Sequence, residues 1–154
     1  TAAVSMVAYY TLWYPKLWLP SLNMRNIAKL SLPLNKHMVF VEHSARRLAR
    51  SIFIKMLIYQ KKLESKQNIL NRFVDIGTDL FAMAAACSYA DSLFKKGLDN
   101  KKTIDLADLF CQEAKIRIVR QFQDISKNSD KLVNLIAHSL LKDEYKNLEN
   151  DIIK

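Results

Sequence analysis

Residues 71–93 read NRFVDIGTDLFAMAAACSYADSL, and they decide the fold. Ile69, Phe73, Ile76, Gly77, Leu80, Ala84, Cys87 and Phe94 recur at three- and four-residue intervals, which places them on one face of a helix. Ala82, Ala85, Ala86 and Ala90 make the other faces small and apolar. A helix that is apolar nearly all round is buried on several sides, so this one is expected at the centre of the molecule. Ser65 is its expected N-cap, and Gly97 stops it just after Lys95 and Lys96 in the last turn. About thirty residues at the helical rise give a length of roughly 45 Å. Gly77 costs up to about 1 kcal/mol relative to alanine inside a helix, and it reads as a point of close helix approach.

Outward from this centre the pattern stays helical. Phe40, Leu48, Ile52, Met56, Leu57 and Leu63 predict a preceding helix from about Asn35 to Glu64. Thr103 or Asp105 opens a third helix to about Ile125, and a fourth covers about Asp130 to Leu148. The only three prolines are Pro15, Pro20 and Pro33, so nothing breaks a helix in the 121 positions that follow. The fold class is all-α, an up-down four-helix bundle over residues 35–154, preceded by an aromatic segment and linker over residues 1–34. At 154 residues the chain is large enough for one core.

The formal charge is +9, with 24 Lys and Arg against 15 Asp and Glu. Eight basic residues lie between Lys36 and Lys66 against only Glu42 and Glu64. Arg46, Arg47 and Arg50 form the cluster expected to act as an electrostatic surface. A nucleic-acid interface would combine a basic stripe with exposed aromatics, and Tyr59 alone meets that need, so nucleic acid is not the expected partner. Anionic lipid or an acidic protein fits the charge better. Cys87 and Cys111 sit in apolar helical patterns without metal-ligand spacing and read as buried thiols of a reducing, intracellular compartment.

Asp75 and Asp79 lie four residues apart on one helix and repel unless paired. Folding the first two bundle helices about Ser65 brings Arg50 level with Asp79, while Arg72 reaches Asp75 within its own helix. A structural charge network of Arg50, Arg72, Asp75 and Asp79 is therefore expected, not an acid–base pair, because the arginines keep both carboxylates ionised. His37, His43 and His138 are scattered, and no phosphate loop or nucleophile elbow is present. No catalytic, cofactor-binding or metal-binding residue is assigned in this chain.

Residues 9–18 pack Tyr9, Tyr10, Trp13, Tyr14 and Trp18 around a single charge, Lys16. Fourteen residues before Pro15 are too few for a bilayer span, which takes about 20. Trp13, Tyr14, Lys16 and Trp18 suit an interface, either lipid headgroups or another domain from which the segment has been separated.

The sequence NRFVDIGTDLFAMAAACSYADSL, followed by DLADLFCQEAKIRI at residues 105–118, resembles the C-terminal helical domain of very-long-chain-type acyl-CoA dehydrogenases. The resemblance covers roughly Val41 to Arg120 and is most specific at Arg72, at Asp79 to Met83 and at Phe110 to Ala114. Members of that family are FAD-dependent enzymes that oxidise long-chain acyl-CoA at the α,β carbons. The resemblance implies FAD and the catalytic glutamate in preceding domains and none in this chain. It also implies the same enzyme's catalytic domains as partner, a contribution to a homodimer, and a peripheral position on the inner face of a membrane. The competing reading is a free-standing basic helical module that binds an anionic membrane or an acidic protein.

Overall fold

A computed structural model describes residues 2–18, 27, 29–98 and 101–145. Among the described residues five α-helices follow one another: α1 (Ala2–Lys16), α2 (Leu34–Tyr59), α3 (Gln67–Lys95), α4 (Lys102–Asp124) and α5 (Asp130–Leu141). A 3-10 turn, Gln60–Ser65, joins α2 to α3, and no strand occurs among the described residues. The all-α expectation holds. Residues 19–26 of the expected linker and the end of the expected fourth helix, from residue 146, lie outside the described residues.

The core belongs to α2, α3 and α4. Ile76, Met83 and Cys87 of α3 meet Cys111, Ala114 and Ile118 of α4, and Leu34 of α2 is fully buried in the same cluster. Met38, Phe40, Leu48 and Ile52 cover it from α2. By contrast, the described part of α5 buries none of its residues, and among the described residues the core is shared by α2, α3 and α4. Leu132, Val133, Leu135 and Leu140 of α5 remain exposed. Packing holds the helices more than capping does, since α2 to α5 have no side-chain cap hydrogen bond at their N-termini. Ser65 is not the N-cap of α3; its hydroxyl donates to the Lys62 carbonyl, and Lys66 takes the capping position.

The C-terminal stops are geometric. Gly97 has φ +67°, Leu98 N donates to Leu93 O at 3.1 Å and Gly97 N donates to Phe94 O at 3.0 Å. These two bonds form a Schellman cap, and glycine supplies the left-handed residue it needs. The same pair of bonds ends α5: Glu144 N to Ser139 O and Asp143 N to Leu140 O, with Asp143 at φ 59°. That stop falls earlier than the expected Leu148, with aspartate in the left-handed position that glycine takes at the end of α3.

Candidate functional site

With the core closed, the residues available for function are those on the outer faces of the helices. On α3, Val74, Phe81 and Tyr89 point away from the core, and Phe81 is 76% exposed. On α4, Leu106, Leu109 and Ile116 do the same, with Leu106 68% exposed. Both helices therefore carry an apolar stripe opposite the buried one. The all-round apolarity that predicted burial on several sides is met in part: among the described residues α2 and α4 cover α3, and the side bearing Val74, Phe81 and Tyr89 stays exposed.

The aromatic segment forms α1, which leans on α2. Tyr14 and Phe53 rings lie 4.8 Å apart, Tyr10 and Phe53 5.4 Å, and Trp13 and Phe53 6.3 Å. Arg50 Nη1 donates to the Leu17 carbonyl at 2.6 Å, and its guanidinium sits 4.5 Å from the centre of the Trp18 ring. Trp13 and Tyr14 are thus half-buried against α2, whereas Lys16 and Trp18 remain exposed. Tyr9 and Leu12, 72% exposed, extend the apolar surface of α1. An apolar cavity of about 450 Å³ lies between the two helices, walled by Tyr10, Tyr14, Phe53 and Met56.

The arginine cluster is not the open electrostatic surface expected. Arg46 pairs with Glu42 one turn back, Arg47 covers the Phe122 ring at 4.1 Å, and Arg50 holds the end of α1. Arg46 is paired with a carboxylate, Arg50 with a ring and a carbonyl, and Arg47, itself exposed, with a ring, so only Arg46 has its charge offset.

The charge network also differs from the expected one. Asp79 accepts two hydrogen bonds from Arg117 of α4, at 2.8 and 3.1 Å, and not from Arg50. Asp75 accepts from Gln121 Nε2 at 3.3 Å. Arg72 does not turn to Asp75 but forms a two-pronged pair with Asp130, at 2.7 and 2.6 Å, tying the start of α5 to α3. These hydrogen bonds raise the Arg72 guanidinium above its ordinary value and hold Asp130 below the usual carboxylate range. The expected pairing assumed that the arginines of α2 face α3 at the level of Asp79. Instead α4 lies along that side and supplies its own arginine.

Two groupings went unread in the sequence. Asp91 is buried, and it accepts from Ser31 N and Ser31 Oγ, both at 2.9 Å, and from Lys95 Nζ at 2.7 Å. Burial pushes its carboxyl up, but the bonds from Lys95 and Ser31 outweigh that and leave it lowered. Lys95 also donates to Lys29 O at 2.9 Å, so the end of α3 clamps residues 29–31. The i,i+4 spacing of Asp91 and Lys95 was the available signal. The second grouping is the buried His37, whose Nε2 meets Asp108 Oδ1 at 2.5 Å across α2 and α4. No sequence spacing announces that pair, because its members are 71 residues apart. Among the described residues no cluster of three or more potential metal ligands forms, and no helix is long and apolar enough to cross a membrane.

Residues 32–145 match the family described as "ACAD9/ACADV, C-terminal domain", and the chain belongs to that family. It is 35% identical over 153 residues to proteins named "Probable acyl-CoA dehydrogenase FadE10" from Mycobacterium bovis and Mycobacterium tuberculosis. The similarity covers 99% of this chain but only 24% of each relative, so the chain spans about a quarter of their length. It reaches further than the resemblance read from the sequence, taking in α1 as well. No solved structure matches the chain significantly.

The family implies a flavin in the full-length enzyme. A cavity of about 710 Å³ lies between the 3-10 turn and the α4–α5 junction. It is walled by Lys55, Lys66, Asn68, Ser126 and Lys131 together with Ile69, Ile125 and Leu132, with Tyr59 its one aromatic.

Proposed function

We infer that the chain serves as an accessory, non-catalytic domain of a FAD-dependent long-chain acyl-CoA dehydrogenase acting in fatty acid β-oxidation. Its task in this reading is to pack against the catalytic domains of the same enzyme, with a homodimer as the setting and an intracellular location. The single observation that carries this is the pair of outward apolar stripes, Val74–Phe81–Tyr89 and Leu106–Leu109–Ile116, on helices whose own core is already filled. Such surface on a lone domain marks a covered face in the larger protein. The catalytic domains are the natural cover, because the similar relatives carry three quarters of their length outside this region.

The test is made on the full-length enzyme with Phe81→Asp and Ile116→Asp. Each charge placed in a docked apolar face is expected to lower the Tm and the recovery of flavin-loaded enzyme, while the isolated domain keeps its far-UV circular dichroism. Unchanged stability and flavin content in both variants would overturn the reading.

A second role, membrane association, is favoured by α1, where Tyr9, Leu12 and Trp18 are exposed beside Lys16. Co-sedimentation with vesicles of neutral and of anionic lipid tests it. A Leu12→Glu, Trp18→Glu double variant should lose vesicle binding; retained binding sinks the role. The free-standing basic module is the weaker reading, because 99% of the chain aligns with only about a quarter of a longer dehydrogenase relative.

A further inference from the structure

Cys87 and Cys111 stand opposite each other at the centre of the α3–α4 contact. Both are free, both are fully buried, and their sulfurs are 3.5 Å apart across 24 residues of sequence. Their neighbours in the seam are small: Ala90 on α3, and Ala107 and Ala114 on α4, all buried. Small side chains let the two helix backbones come close, and they leave room for the sulfurs to come closer. A disulfide needs about 2.05 Å, so the contact must shorten by roughly 1.5 Å, within reach of a rotamer adjustment and a slight helix shift. The 3.5 Å contact already places the sulfurs beside each other, with no third side chain required to move out from between them.

We propose that Cys87 and Cys111 are a latent interhelical cross-link, closed by two-electron oxidation with a hydroperoxide and reopened by a dithiol. In the first step the Cys111 thiolate attacks a peroxide oxygen, the O–O bond breaks, and a sulfenic acid forms while the departing alkoxide or hydroxide takes a proton. In the second, the Cys87 sulfur attacks the sulfenic sulfur, the S–S bond forms, and hydroxide leaves with the Cys87 proton as water. Two thiols lose two electrons and two protons, and the hydroperoxide becomes an alcohol and water, or two waters from hydrogen peroxide itself.

Across the 3.5 Å contact either thiol can donate to the other. Sharing a proton there, with burial, holds the Cys87 thiol up and draws Cys111 down, and Lys115 adds to the lowering of Cys111. Full burial makes the first step slow, because the oxidant enters only when the α3–α4 seam opens. Once closed, the bond ties together two helices that share the largest part of the core. The inference is independent of the role proposed above, since it concerns only the seam between α3 and α4.

The reduced chain is incubated with hydrogen peroxide, folded in buffer and unfolded in urea, beside Cys87→Ser and Cys111→Ser. The expected product from the folded chain is an intrachain bond between the peptides carrying residues 87 and 111, found by mass spectrometry without reduction. It should raise the Tm by roughly 5–10 °C, reversibly with dithiothreitol, as a loop of this size is expected to do. Neither serine variant should show the rise. The proposal is overturned if the urea-treated chain forms the bond and the folded chain does not. It is equally overturned if the folded chain yields intermolecular dimers or irreversibly oxidised cysteine in place of the 87–111 bond.

Discussion

Replacing Gly77 with alanine should stabilise the domain. Gly77 lies mid-helix in α3, on the side that faces α2, and its sequence context reads as a point of close helix approach. The structure gives the clearance: a Cβ at this position would lie 3.9 Å from Leu48 Cδ2, with nothing nearer. That is ordinary van der Waals contact. Alanine therefore gains the helix-propensity difference of about 0.8–1 kcal/mol. The half-buried methyl adds a few tenths of a kcal/mol more by displacing water. A total of about 1–1.5 kcal/mol corresponds to a Tm increase of roughly 3–6 °C in a domain of this size. Urea unfolding followed by far-UV circular dichroism reads the change, and the slope against denaturant should stay constant. Gly77→Leu is the companion, since carbons beyond Cβ must push Leu48 aside at a cost of about 1–3 kcal/mol. A loss in the alanine variant or a gain in the leucine variant refutes the packing distance and the reasoning built on it.

Arg72→Ala should cost about 1–2 kcal/mol, because its pair with Asp130 has two short bonds between ends only 17% and 20% exposed. Limited proteolysis within residues 126–129 should quicken in the same variant as α5 is released. Asp79→Ala should cost less than about 1 kcal/mol, since its partner Arg117 is half exposed and screened by water; urea midpoints that reverse this ranking would contradict it. Stability should fall in acid. Asp91 and Asp130 both have folded pKa values below the ordinary carboxylate value of about 4. Their contribution is complete above that value and is lost as pH drops through the lower folded values. In Arg72→Ala the acid-induced loss, followed by thermal melts from pH 6 to pH 2, should shrink by the share of Asp130.

Helix existence and the central place of α3 were legible because they rest on local, periodic signals. The buried set Ile69, Phe73, Ile76, Leu80 and Cys87 follows the expected spacing, and Gly97 stops α3 where a left-handed residue is needed. Phe94 departs from that pattern; it is 44% exposed because it lies in the last turn, past the end of the seam with α4. What resisted reading was pairing across helices. Counting residues from a turn put Arg50 beside Asp79, but helix rotation and the position of α4 gave Asp79 to Arg117. His37 and Asp108 escaped for the same reason, since no spacing rule links α2 to α4. The aromatic segment is held on α2 by Phe53, whose ring gathers Tyr10, Trp13 and Tyr14, and by Arg50, which no spacing rule links to it. Exposed apolar stripes cannot be told from buried ones by periodicity, because both follow the helical repeat.

The connection between α3 and α4 is only a few residues long, yet these two helices share the most extensive contact in the chain. Closing so short a loop costs little chain entropy, and helical pairs that are neighbours in sequence form fast, in microseconds to milliseconds. Assembly of the domain should therefore start from this hairpin, with α2 docking onto a preformed surface, and α1 and α5 settling last. Native-state hydrogen exchange would record the same order in reverse. The amides around Cys87 and Cys111 should be the last to exchange, while those of α5, with no buried side chain to hold it, are replaced first.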